Sequence, residues 1–163
     1  MDLSKLSMSQ KLAGGGAALY VIAWFLPWFS FSYAGLAAAD ISASGSDLNF
    51  LWGTLPFLCA LVVLALVAIP VFAGNVDLSK VPAPAILVAG GLGGFLTIVK
   101  LLIGESYVDR AWGLFVAAIA GGVMAYGCFL IFKDGGGDIK NIGASMNKPA
   151  GGATPPPPPP PPA

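Results

Sequence analysis

Four long apolar runs, separated by short polar stretches, set the pattern of the chain. They cover residues 12–31, 50–73, 83–104 and 111–132. Each has about 20 residues or more, enough for a helix to cross about 30 Å of hydrocarbon. The breaks between them are polar: a serine- and glycine-bearing loop over 34–49, the turn Gly74–Lys80, and the charged turn Glu105–Arg110. The pattern predicts an all-α membrane protein, a four-transmembrane-helix up-down bundle. The last two connections are too short for anything but antiparallel neighbours.

The first run ends in Trp24, Phe25, Pro27, Trp28, Phe29 and Phe31, followed by Tyr33. Such a cluster is expected as an aromatic belt at one membrane interface. Pro27 is expected to end or bend the helix. A cleaved signal peptide is the rival reading, with Ala37, Ala38 and Ala39 as the small-residue site. The run is longer and richer in tryptophan than a signal core, so the reading here is a retained span.

Lysine and arginine set the predicted topology. With the N-terminus cytoplasmic, that side holds Lys5, Lys11, Lys80, Lys133, Lys140 and Lys148, and the far side holds Lys100 and Arg110. Six against two predicts both termini inside, in a plasma (inner) membrane. The predicted organisation is a cytoplasmic N-terminus over 1–11, a membrane domain over 12–133, and a disordered Gly/Pro-rich cytoplasmic tail over 134–163.

Small residues recur every four positions within the runs: Gly113, Ala117, Gly121 and Ala125 in the fourth; Ala85, Ala89 and Gly93, with Gly90 and Gly94 beside them, in the third; Gly14 and Ala18 in the first. This spacing lines one stripe of a helix. In lipid, small faces let helices approach closely, so these are expected to pack against each other within the chain. Pairing of two copies through one such face is the weaker expectation.

Composition narrows the chemistry. Apolar residues make up 56% of the chain and charged residues 10%, against about 25% charged in soluble domains. A formal net charge of zero argues against nucleic acid as a partner. The absence of histidine removes the commonest general base and metal ligand. Cys59 and Cys128 both lie in apolar runs and are expected to act as small hydrophobes. No catalytic, cofactor or metal site is predicted, and the chain is read as non-enzymatic.

Lys100 is the one charge well inside a run. Four residues from Gly104, it lies about 6 Å below the helix end. Its stem is expected to snorkel to the outer surface and meet Glu105, Asp109 or Asp40, or a lipid head group. The carboxylates of that face, Asp40, Asp47, Glu105 and Asp109, match no cation-binding loop and read as a solvated rim. Thr54, Thr97 and Tyr126 are the remaining polar groups in the runs, and are expected to bond neighbouring helices.

The tail ends in eight prolines, Pro155 to Pro162. They predict a polyproline II rod of about 25 Å, preorganised for an aromatic-lined groove on a cytoplasmic partner. Residues 134–154, rich in glycine, form a tether for it.

In these features the chain resembles uncharacterised four-span bacterial membrane proteins of the actinobacterial type. The residues that carry the likeness are Phe25-Leu26-Pro27-Trp28, Trp52-Gly53, the glycine-rich third run, Arg110-Ala111-Trp112-Gly113 and the proline-rich tail. The layout is similar to that of the mycobacterial 34 kDa antigenic protein homologue. That resemblance implies the four-span fold and brings no activity. A claudin-type reading fails, because the first loop is short and has no cysteine pair. The function expected is a membrane scaffold or accessory subunit that docks membrane proteins or a second copy. The alternative is a small transporter or lipid-handling protein using Lys100 and the outer carboxylates.

Overall fold

The computed structural model describes residues 6–31, 41–73, 83–104 and 108–137. The chain is mostly helical. Among the described residues the four α-helices are α1 (Met8–Trp24), α2 (Leu55–Ala73), α3 (Ala83–Ile103) and α4 (Trp112–Asp134). Three helical segments, Phe50–Ile69, Pro84–Ile103 and Trp112–Asp134, are long and apolar enough to cross a membrane. Helix α1 has 17 residues.

The start of α1 follows from a capping box. Ser7 Oγ accepts from Gln10 N at 3.2 Å, and Ser7 N donates to Gln10 Oε1 at 2.9 Å. Two orphan donors are satisfied reciprocally, so the helix begins four residues before the apolar run. Its end also departs from the predicted span. The run over 12–31 is not helical throughout: α1 stops at Trp24, and Pro27–Phe31 is a strand, β1. Pro27 disfavours helix at the preceding residue and cannot donate to a helix ladder. Aromatic side chains beyond it suit an extended backbone.

Strand β1 is the middle of a three-stranded antiparallel sheet, with β2 (Ile41–Ser44) on one side and β3 (Asp109–Arg110) on the other. Phe29 pairs with Arg110 and Phe31 with Ile41. Strand β2 thus occupies part of the predicted first loop, and β3 part of the predicted turn before α4. A single 3₁₀ turn, Gly45–Asp47, follows β2.

Helix α2 is preceded by a π-helical turn over Phe50–Thr54, capped by Asn49, whose side chain accepts from Trp52 N. Leu55 N reaches back five residues to Phe50 O. Pro56 explains the widening. It has no N–H for Trp52 O, and its ring would crowd that carbonyl in an α-helix.

Contacts along the helices fix their order and direction. Helix α4 packs most extensively on α1 and α3, α2 joins α1 to α3, and α2 and α4 scarcely meet. Trp24 stacks on Phe57 at 4.1 Å, and Gly14 lies against Val67, so α1 and α2 run antiparallel. Helix α4 is antiparallel to both its neighbours. Gly16 meets Met124 while Gly127 meets Ala13, and Gly94 meets Gly121 while Gly90 meets Cys128.

Small residues make these approaches possible. A β-carbon added at Gly121 would stand 3.2 Å from Gly94 Cα, and one at Gly94 would meet the Gly121 carbonyl. Gly113 lies against Leu26 and the Pro27 carbonyl, and Ala117 is fully buried. Gly93 faces α2, where a β-carbon would stand 3.0 Å from Cys59 Cβ. Two of the predicted stripes are rotated. Ala85 is exposed, and the α3 glycines that meet α4 are Gly90 and Gly94. The face of α1 toward α4 is Ala13, Gly16, Ala17 and Tyr20, rather than Gly14 and Ala18.

Helix α3 ends on Gly104, whose φ of 67° is left-handed and whose N–H bonds Lys100 O at 2.9 Å. Arg110 Nη2 donates to Leu102 O at 3.2 Å and caps the same end. A β-carbon at Gly104 would also stand 2.7 Å from that guanidinium. Gly104→Ala is therefore expected to destabilise the fold by about 1–2 kcal/mol, read by unfolding in detergent.

Candidate functional site

The site is built where the sheet caps one end of the helices. Helix α3 brings Lys100, β1 brings Phe29, and the π-helical turn brings Trp52. The Lys100 ammonium lies 5.4 Å from the Phe29 ring centroid and 5.6 Å from that of Trp52. Both are within the roughly 6 Å at which an aromatic face attracts a cation.

The expected snorkelling of Lys100 into outer lipid or water is corrected. The residue is 4% exposed. Its height on α3 is as predicted, but its direction is inward, because β1 and the π-helical turn cover the helix end and offer aromatic faces there. Of its predicted partners, Asp109 stands exposed on β3. Glu105 and Asp40 lie outside the described residues.

One turn below Lys100, Thr97 continues the same face. Thr97 Oγ1 donates to Gly93 O at 2.9 Å and shares a 2.7 Å hydrogen bond with Tyr20 Oη, which crosses the interior from α1. In a water-poor interior an unpaired hydroxyl costs several kcal/mol, so the pairing lets both side chains be buried. Tyr20 sits edge-on to Trp28 at 6.4 Å, and Trp28 Nε1 donates to Ala23 O at 2.8 Å. Trp24 Nε1 donates to Gly53 O at 3.1 Å and ties α1 to the π-helical turn. The end of α1, the sheet, the turn and α3 thus converge on one cation and two hydroxyls.

Sequence reasoning missed Tyr20, Trp28, Phe29 and Trp52 as parts of this site. Trp28 and Phe29 belong to the predicted aromatic belt, yet both are buried residues of β1 rather than outward-facing ones. Phe25 does face outward. For Tyr20, and for the inward direction of Lys100, the sequence holds a signal. Tyr20 falls on the small-residue face Ala13, Gly16, Ala17, where a large polar side chain must reach across. Lys100 follows Gly93 and Thr97 at helical spacing.

Thr97 bonds across helices, as expected. Tyr126 does not: it faces outward, and no described residue hydrogen-bonds its hydroxyl. Cys59 and Cys128 are buried thiols, packed against Gly93 and Gly90. At the opposite end Ser9 Oγ donates to Asp134 Oδ2 at 2.8 Å and joins α1 to α4. The tail residues Lys140, Lys148, Pro155 and Pro162 lie outside the described residues.

Of the carboxylates read as a solvated rim, Asp47 and Asp109 are exposed, and Asp47 is also bonded within its own loop. Its Oδ2 accepts from Ser44 N at 2.8 Å and from Ser44 Oγ at 2.9 Å. The backbone bond first, then the hydroxyl bond, holds its carboxyl below the usual range. Because the folded value is the lower one, the turn is fully stabilised above the unfolded carboxyl range. That stabilisation is expected to fade as pH falls through the folded value. The Asp47 and Ser44 resonances titrating together check this, and Asp47→Asn is expected to remove the dependence. Among the described residues no three His, Cys, Asp or Glu side chains come together as a metal site.

No family model, curated protein or solved structure matches the chain.

Proposed function

We propose that this chain is an integral membrane scaffold or accessory subunit, crossing a plasma (inner) membrane four times with both ends on the cytoplasmic side. One observation supports the reading most. Small faces of α1, α3 and α4 approach to backbone contact, while large apolar side chains such as Ile22, Leu61, Phe95 and Ile119 point outward. That is the inside-out economy of helices in lipid, where close packing replaces the hydrophobic drive. The outer faces then serve for lipid and for neighbouring membrane proteins. The proline-rich tail, with Pro155 to Pro162 as its rod, reaches a cytoplasmic partner. The resemblance in layout to four-span actinobacterial-type proteins bears on the number of spans alone.

In this reading Lys100 is a clasp. Held between Phe29 and Trp52, it fastens the sheet and the π-helical turn to α3. The test is crosslinking mass spectrometry in native membranes, with gentle co-purification. Reproducible crosslinks from the outer helix faces and the tail to the same proteins support the role. A solitary protein with no crosslinks from the tail overturns it.

The burial of a cation beside the Tyr20–Thr97 pair favours one second reading, a small transporter or lipid-handling protein. Lys100→Leu separates the two. Loss of a bound anion or lipid with associations intact supports the second; unchanged lipid content supports the clasp.

A further inference from the structure

Helix α4 carries a hydroxyl that no described residue hydrogen-bonds. Tyr126 is 57% exposed on the outward face of a helix apolar enough to cross a membrane. Its neighbours on that face are Ile119 and Val123, both exposed. It stands about 5 Å along the axis from the middle of α4, at 1.5 Å per residue. Its side chain leans toward the N-terminus of the helix, and so toward that middle. On the membrane reading proposed above, the hydroxyl therefore lies deep in hydrocarbon, beyond head groups and water. An unsatisfied polar group there is costly. Gly122, one turn earlier, is an open notch: a β-carbon added there would meet nothing within 4 Å.

We infer that this face pairs with a second copy of the chain, Tyr126 of each copy entering beside Gly122 of the other and donating to a backbone carbonyl. The hydroxyl calls for an acceptor at the same depth, and lipid tails have none. A second copy meets that demand automatically, because it crosses the membrane in the same direction at the same depth. A two-fold axis along the membrane normal brings the projecting side chain of each copy to the notch of the other. The missing β-carbon at Gly122 lets the backbones approach and exposes the carbonyl edge.

The experiment uses the full chain in lipid vesicles, labelled for energy transfer and diluted over a range of protein-to-lipid ratios. The wild type is expected to self-associate reversibly. Tyr126→Phe, which removes only the hydroxyl, is expected to weaken association about threefold to tenfold, the range that one interhelical hydrogen bond gives in bilayers. Gly122→Ile is expected to abolish it, and Gly91→Ile, on the outer face of α3, to leave it unchanged. Gly91 is likewise open, so this variant controls for an added side chain. A monomer at every ratio overturns the inference, as does association that either α4 variant leaves unchanged. Extraction of the chain by alkaline carbonate refutes the membrane reading and this pairing with it. An inserted monomer refutes the pairing alone.

Discussion

Gly16→Leu is expected to destabilise the helix assembly by about 3 kcal/mol or more, the upper range for overpacking. A β-carbon at position 16 would stand 2.9 Å from Met124 Cα and 3.0 Å from Ala120 O. These are backbone atoms, which cannot rotate away as a side chain could. The larger residue therefore has to push α1 from α4. That movement opens the reciprocal contact, in which Gly127 lies against the Ala13 backbone. The neighbouring substitution is the control. Gly15 faces outward and an added β-carbon there meets nothing within 4 Å. Gly15→Leu is expected to lie within about 0.5 kcal/mol of the wild type. Reversible unfolding of both variants in mild detergent checks the contrast. Equal stability of the two would contradict the α1–α4 packing.

Trp28→Ala is expected to cost about 3–5 kcal/mol, the range for deleting a large buried aromatic. The indole is fully buried, lies edge-on to Tyr20, and donates to Ala23 O. Its loss removes the post on which β1 rests at the end of α1. Trp28→Phe separates the two contributions. It keeps most of the ring surface and leaves Ala23 O without that donor, so a cost of about 1–2 kcal/mol is expected. Tryptophan emission in the Trp28→Ala variant should also lose its buried component. A loss below about 1 kcal/mol would show that the sheet stands without this anchor.

The helices were legible in the sequence because their signal is long and local. Apolar runs of about 20 residues have few alternatives, so α3 and α4 lie within two residues of the predicted bounds at each end. The capping box at Ser7 and Gln10 is equally local and could have moved the start of α1 to Met8. The sheet was not legible. Its strands are short, its partners Phe29 and Arg110 are about eighty positions apart, and Trp28 and Phe29 are both buried, which hides any alternation.

Lys100 shows the limit from another side. Height alone, counted from Gly104, is a one-dimensional argument, and it leaves inward and outward directions equivalent. The helical phase decides between them. Lys100 lies seven positions after Gly93 and three after Thr97, which is the buried face. What phase could not supply is the pair of rings that lies beside the ammonium. Phe29 arrives through the sheet, and Trp52 through a helix widened ahead of Pro56.

The hydrogen bond from Ser9 to Asp134 makes the helical domain nearly a closed loop. The first and last helices meet where the described chain begins and ends. Joining those ends with a short linker and reopening the chain between α2 and α3 would keep the same helix neighbours. The order in which the helices are synthesised is thus separable from the arrangement they adopt. Tags on the two ends would leave the domain side by side, so a split reporter divided between them would assemble within one molecule.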